Sequence, residues 1–342
     1  MNKSILSSMA VGLSILAVLV LSSCGPESDD VGSTAKPSDE VMKVGKYYWP
    51  SNYWLEVAEK KGWFAEAGLN VKLVDTNPDY YASQVDVAEG RLDTQDFYLY
   101  DLMKFNAEGA ELVMVLNVEV SSGSEGMAGK IDIGSVAELK GRSIGVGKGS
   151  ALAYMVDVAL TRHGLTPADV TLIDIQPEKA VEAFAAGKCD AVVTWEPYLS
   201  QIAAGADARK IFDTSDIPGV SPAGYAFHRD FIEARPADVQ AFIGVWYRTR
   251  KFIKANPKES YEIIAKNYDL EASEVEEFTK LLVILDLEEN LTAFSYAAGF
   301  ESLFGTAQEI NTFMIRTGVA QEPLDSEKFL DGSFIQELNR SH

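Results

Sequence analysis

Residues 177–200 read PEKAVEAFAAGKCDAVVTWEPYLS, and their reading decides the fold. The first half, to Gly187, is helical in pattern, with a proline at its start and a glycine at its stop. The second half, CDAVVTW, is a short apolar run suited to a buried strand. Immediately upstream the rhythm repeats. Residues 143–147 (SIGVG) form a strand, 150–163 a helix stopped by Gly164, and DVTLIDI at 169–175 another strand. Further back, strands at 41–49, 70–75, 93–100 and 110–120 alternate with helices at 51–69, 80–92 and 100–109. Downstream, 223–231 is again a strand. A helix beginning near Pro236 then places Val239, Phe242, Ile243 and Trp246 on one apolar stripe. Such alternation predicts α/β architecture, with parallel sheets covered by helices on both faces. Ligands of open α/β sheets sit outside the carboxyl ends of the strands. Two such sheets facing each other would make a cleft that closes by hinge motion.

The 342 residues suit two lobes rather than one ordinary domain, and 47% apolar content can fill a sizeable core. With 51 acidic against 30 basic residues the formal net charge is −21, which argues against a nucleic-acid partner. The excess is uneven: residues 25–40 hold 5 acids against 1 base, and residues 261–342 hold 16 against 5. It therefore reads as a solvated exterior, and the question of a cationic ligand narrows to Glu119, Glu125 and Glu196. Two cysteines, Cys24 and Cys189, and three histidines, His163, His228 and His342, give no metal-ligand spacing and no disulfide framework. Neither a metal nor a cofactor is expected.

The first 24 residues are MNKSILSSMAVGLSILAVLVLSSC, a short basic start, an apolar run and small residues before a cysteine. An uncleaved membrane helix would need a slightly longer run. Residues 25–40 are polar, contain Pro and Gly, and suit a flexible tether.

Four strand ends carry chemistry. Tyr47-Tyr48-Trp49-Pro50-Ser51-Asn52-Tyr53-Trp54 is dense in aromatics, of which Trp49 and Tyr53 flank the turn and face a cleft; the others suit a core. Ser121-Ser122-Gly123-Ser124 offers hydroxyls and backbone amides, although an ordinary turn is the better reading of this tetrapeptide alone. Gly149-Ser150 leads a strand into a helix whose N-terminus could hold an anion. Glu196, after Trp195, could meet a ligand donor or simply complement a helix dipole.

In order along the chain, the leader to Cys24, GWFAEAGLNVKLV, GRLD, SVAELKGRSIGV, GLTPADV, AFAAGKCDAVVTWEPYLS and DIPGV resemble a known family. It is the extracytoplasmic solute-binding proteins of ABC importers, in the nitrate, sulfonate, bicarbonate and taurine group with thiamine-precursor binders. The leader resembles a lipobox, which implies a signal peptide at 1–23 and a lipid on Cys24, with the tether at 24–40. The resemblance implies a type II periplasmic-binding fold, with one lobe at 41–130 plus 222–342 and another at 131–221. The crossovers would fall near 128–132 and 218–224. Carried over by motif, Trp49, Tyr53, Tyr98, Ser121, Gly123, Gly149, Ser150, Trp195 and Glu196 would line the cleft. The implied protein is a non-enzymatic monomer outside the cytoplasm, anchored to a membrane by lipid, that passes a small solute to a permease and its ATPase. The solute would be sulfonate-, nitrate- or taurine-like, or pyrimidine- or amine-like. Two departures from the family pattern stand out: Glu119 and Glu125 keep acidity, with longer side chains, where relatives often carry Asp, and no acid follows Pro218-Gly219, which disfavours taurine. The alternatives are a pyrimidine-synthesising enzyme on the same fold and a ligand-presenting sensory module.

Overall fold

The computed structural model describes residues 36–341, apart from 78, 79 and 269. Cys24 and the leader therefore lie outside the described residues. Eleven strands build two sheets among the described residues. The first contains β1 (Val41–Lys46), β2 (Asn70–Asp75), β3 (Thr94–Tyr98), β4 (Leu112–Ser121), β10 (Pro222–His228) and β11 (Leu282–Ile284), in the order β11-β4-β10-β3-β1-β2. The second contains β5 (Glu125–Lys130), β6 (Ser143–Val146), β7 (Thr171–Asp174), β8 (Ala191–Trp195) and β9 (Ala208–Asp213), in the order β7-β6-β8-β5-β9.

The expected parallel core is present: β1 runs parallel to β2 and β3, and β6 parallel to β7 and β8. Both sheets are nevertheless mixed. β10 runs antiparallel to β3 and β4, and β5 antiparallel to β8 and β9. The physical reason is the path of the chain. A strand that carries the chain from one sheet to the other, or back, enters its new sheet from the facing end.

The first crossover lies earlier than the expected 128–132. The chain leaves the first sheet at Ser121 and is already paired in the second at Glu125, so 125–130 belongs with the second sheet. That strand reads EGMAGK, and its small residues carry almost no strand signal. Close backbone approach explains the glycine: a Cβ on Gly126 would stand 2.5 Å from the Phe212 carbonyl oxygen. The second crossover runs from Asp213 to Pro222.

The helix Pro50–Lys61 has proline in its first turn and ends at Gly62 in the left-handed region, with Lys60 and Lys61 in its last turn. It covers the first sheet beside the helix Pro236–Ala255, whose stripe residues Val239, Phe242, Ile243 and Trp246 are all buried. Trp54 and Trp246 stack between the two helices with centroids 5.9 Å apart. No helix among the described residues is long and apolar enough to cross a membrane.

Candidate functional site

The carboxyl ends of β1, β3, β4 and β8 converge where the two crossovers pass. Trp49 follows β1 and caps the helix Pro50–Lys61 with extended backbone geometry. Its indole Nε1 donates to Glu119 Oε1 of β4 at 2.5 Å. Tyr98 ends β3, and its hydroxyl donates to Glu125 Oε1 at the start of β5. Ser124 Oγ donates to the other oxygen of Glu125 at 3.1 Å. Thr214 joins the crossovers: its Oγ1 lies 2.5 Å from Ser121 Oγ and accepts from the Gly123 amide at 2.8 Å. Trp195, at the end of β8, sets its half-buried ring 6.5 Å from that of Tyr81 on the first-sheet side. Trp49, Tyr53, Ser124 and Glu196 share a residual space of only ≈ 10 Å³ with Tyr48 and Phe278. The strand ends are thus closed on one another.

Three carboxyl groups lie in this dry region: Asp96, Glu119 and Glu125, each about 1% exposed. Burial pushes Asp96 up to about 7, against a smaller pull from the Asn52 side chain. It pushes Glu119 up to about 8, with Asp96 and Glu125 adding like-charge repulsion against the Trp49 and Ser51 donors. Glu125 is also raised, by burial, despite hydroxyl donors from Ser121, Tyr98 and Ser124. Oε2 of Glu119 has no hydrogen-bond partner.

Several residues singled out in sequence make their polar or ring contacts with neighbours outside the facing strand ends. Tyr53 is wholly buried and packs its ring 4.5 Å from Tyr268. The Glu196 carboxylate turns to its own helix, accepting from Ser200 N at 3.1 Å and Ser200 Oγ at 2.8 Å. These contacts are those of a residue at a helix start. Ser150 caps the helix Ala151–Arg162, and its hydroxyl donates to Gly147 O. Asp101 comes close to the start of that helix. Burial pushes it up to about 6, while Lys104, Gln84 and the Ala151 amide pull the other way. The anion seat read from Gly149-Ser150 therefore faces a carboxyl group of the chain itself. Gly149 borders a separate cavity of ≈ 290 Å³ with Tyr100 and Phe313.

A cavity of ≈ 1060 Å³ lies between the helix Ala151–Arg162 and residues 283–316, with Tyr154, Phe300 and Phe313 in its wall. Asp157 and Arg316 pair across it at 2.5 Å. None of the sequence-derived site residues lines it. The convergence of strand ends is the better candidate on topological grounds.

Sequence reasoning missed Asp96 and Thr214. The signal for Asp96 was present: Gln95 and Asp96 are polar residues inside an otherwise buried strand, TQDFY. Thr214 had no local signal, because its partners are more than ninety positions away. His163 and His228 have structural roles. His163 Nδ1 lies 2.8 Å from Ala159 O, and His228 Nδ1 accepts from Asp230 N at 3.2 Å. Cys189 is 2% exposed, and burial raises its thiol.

Two sheets that exchange strands through paired crossovers, with their strand ends face to face, define a periplasmic-binding fold. The crystal structure of the periplasmic aliphatic sulphonate binding protein SsuA from Escherichia coli has this fold, with a TM-score of 0.68 over 85% of this chain and 92% of that one, at 19% identity. The chain belongs to the NMT1/THI5-like family, whose profile matches residues 50–260. A Bacillus subtilis (strain 168) protein described as a "Putative aliphatic sulfonates-binding protein" is 25% identical over 342 residues, covering 98% of each chain. The fold also houses an enzyme: the desulfurization enzyme DSZB aligns with a TM-score of 0.62 over 89% of this chain and all of that one, at 17% identity.

Proposed function

We propose that the protein is the solute-binding component of an ABC importer, working outside the cytoplasm as a monomer held to a membrane by lipid on Cys24. In this reading the two sheets form two lobes, and a small organic solute is caught between their strand ends. Hinge motion about residues 121–125 and 213–222 closes the cleft, and the closed protein hands its solute to a permease driven by an ATPase. The solutes named for the relatives are aliphatic sulfonates, and the solute here is a small organic molecule of that size. Trp49, Tyr98, Ser121, Gly123 and Trp195 would line the site.

One observation carries the reading. Aromatic and hydroxyl side chains from both sheets close on one another across hydroxyl-bridged crossovers. An enzymatic role finds no support in the Cys189 thiol, which sits behind Gly145, with Sγ 3.1 Å from where a Cβ would stand. The test is a thermal-shift screen of the purified protein against nitrate, alkanesulfonates, taurine, amines, pyrimidines and thiamine. A ligand present at 100 times its Kd stabilises the bound form by about 2.7 kcal/mol. At least one compound is expected to raise Tm in the native protein and to lose that effect in Trp195→Ala. Turnover of the bound compound would contradict the binding role.

A further inference from the structure

The closed strand ends leave a gap of only ≈ 10 Å³ among Tyr48, Trp49, Tyr53, Ser124, Glu196 and Phe278. That is about the room one water needs. A protein closed on a solute must make more room there by moving a side chain. Most of the wall is tied. Trp49 is held through Nε1 by Glu119, and Tyr53 is wholly buried. Tyr48 sets its ring edge-on to both Tyr53 and Tyr268, with centroids 5.3 and 5.8 Å away. Ser124 Oγ donates to Glu125, and the Glu196 carboxylate is held by Ser200. Phe278 differs. It is half-buried, and among the described residues its ring meets one other ring, that of Tyr48, edge-on at 6.2 Å. It stands on the helix Ala272–Thr279, in which Val275 is the one buried residue. Its backbone, by contrast, is fixed beside the first crossover. Leu281 O accepts from Ser122 N at 2.9 Å, and Leu282 pairs with Ser121. Phe278 is therefore a loosely packed ring, carried on an anchored backbone, at the seam between the two sheets.

We propose, resting on the strand ends as the solute site, that Phe278 is its gate and sets the size of the solute. The ring turns out of the gap when the solute enters, and the space it vacates takes an apolar group of about the size of a benzyl ring. A larger group would meet Trp49 and Tyr53, which their hydrogen bond and burial keep in place.

The test compares the purified native protein with Phe278→Ala and Phe278→Trp. Circular dichroism and Tm check that both variants are folded, and alanine suits the helix. The first readout needs no solute. Trp49 borders the gap and is 6% exposed. Acrylamide quenching of tryptophan fluorescence is expected to rise in folded Phe278→Ala, and unchanged quenching would show that the ring does not cover the gap. The second readout is calorimetric titration with short and long probes, methanesulfonate and octanesulfonate, ethylamine and octylamine. In Phe278→Ala the long member of the class that binds is expected to gain on the short one by about tenfold or more in affinity. In Phe278→Trp it is expected to lose ground. Equal long-to-short ratios in the three proteins, or binding confined to the smallest compounds in all three, would overturn the gate and leave the solute site standing. If no compound of the wider screen binds the native protein or either variant, the strand-end site falls and the gate with it.

Discussion

Replacing Thr214 by valine is expected to loosen the join between the two crossovers. The substitution keeps the shape of the side chain and removes one oxygen. That oxygen accepts from the Gly123 amide at 2.8 Å and lies 2.5 Å from Ser121 Oγ, and the residue is fully buried. Ser121 retains a second partner in Ser124 Oγ at 2.6 Å, so its loss is partial. The Gly123 amide would lose the Thr214 oxygen that now accepts its hydrogen bond. Leaving a buried donor unsatisfied costs about 1–3 kcal/mol, so Thr214→Val should destabilise by about that amount. Thr214→Ser keeps the oxygen and removes one methyl, at a cost of about 0.8 kcal/mol. Urea denaturation of both variants, followed by tryptophan fluorescence, gives the two midpoints for comparison. Valine should lower the midpoint well beyond serine, and it should weaken solute binding, because the same bond closes the crossovers on each other. Equal midpoints for the two variants would show that the hydroxyl does not join the crossovers, and the account of closure would lose its anchor.

Other expectations follow from the same geometry. The ligand-free protein should lose stability as pH rises from 5 to 9. Asp96 and Glu119 hold their protons to about 7 and about 8, while in the unfolded chain they release them near 3.8 and 4.5. Over that range the unfolded state binds fewer protons, so the slope is negative. For Asp96 alone a displacement of about three pH units sets a ceiling near 4 kcal/mol, and urea midpoints across pH measure it. Rising stability over the same range would contradict the burial of these groups. Gly219→Ala should cost about 3 kcal/mol or more in denaturant midpoint. Its φ is +86° and a Cβ would stand 2.0 Å from the Phe300 carbonyl oxygen, combining a left-handed penalty with a backbone collision. Cys189 should resist a thiol reagent in the native protein and react on unfolding, and rapid native labelling would contradict its burial.

Much of the architecture was legible because hydrophobic period reports burial directly. The strand AVVTW and the stripe of the helix Pro236–Ala255 lie where their patterns placed them. The strands Glu125–Lys130 and Ala208–Asp213 were not legible. The first is rich in small residues and the second sets Arg209-Lys210 before Ile211-Phe212 without alternation, and both are held by pairing within the second sheet. The strand ends at Trp49 and Ser121 were read as chemical and Tyr98 was implied by the family resemblance, and the structure brings the three to one region. Glu196 and Gly149-Ser150 behave as helix-start residues, which local sequence describes as well as it describes a ligand contact. Asp96 and Thr214 act through partners distant in sequence, and only the folded chain joins them to the cluster.

The central claim is that a solute is held between the facing strand ends. A crystal structure of the protein with the tightest-binding compound of the screen tests it most directly. The account predicts density touching Trp49 and Tyr98 of the first sheet and Trp195 of the second. Density in the groove walled by Tyr154, Phe300 and Phe313, with the strand ends still closed on each other, would contradict it.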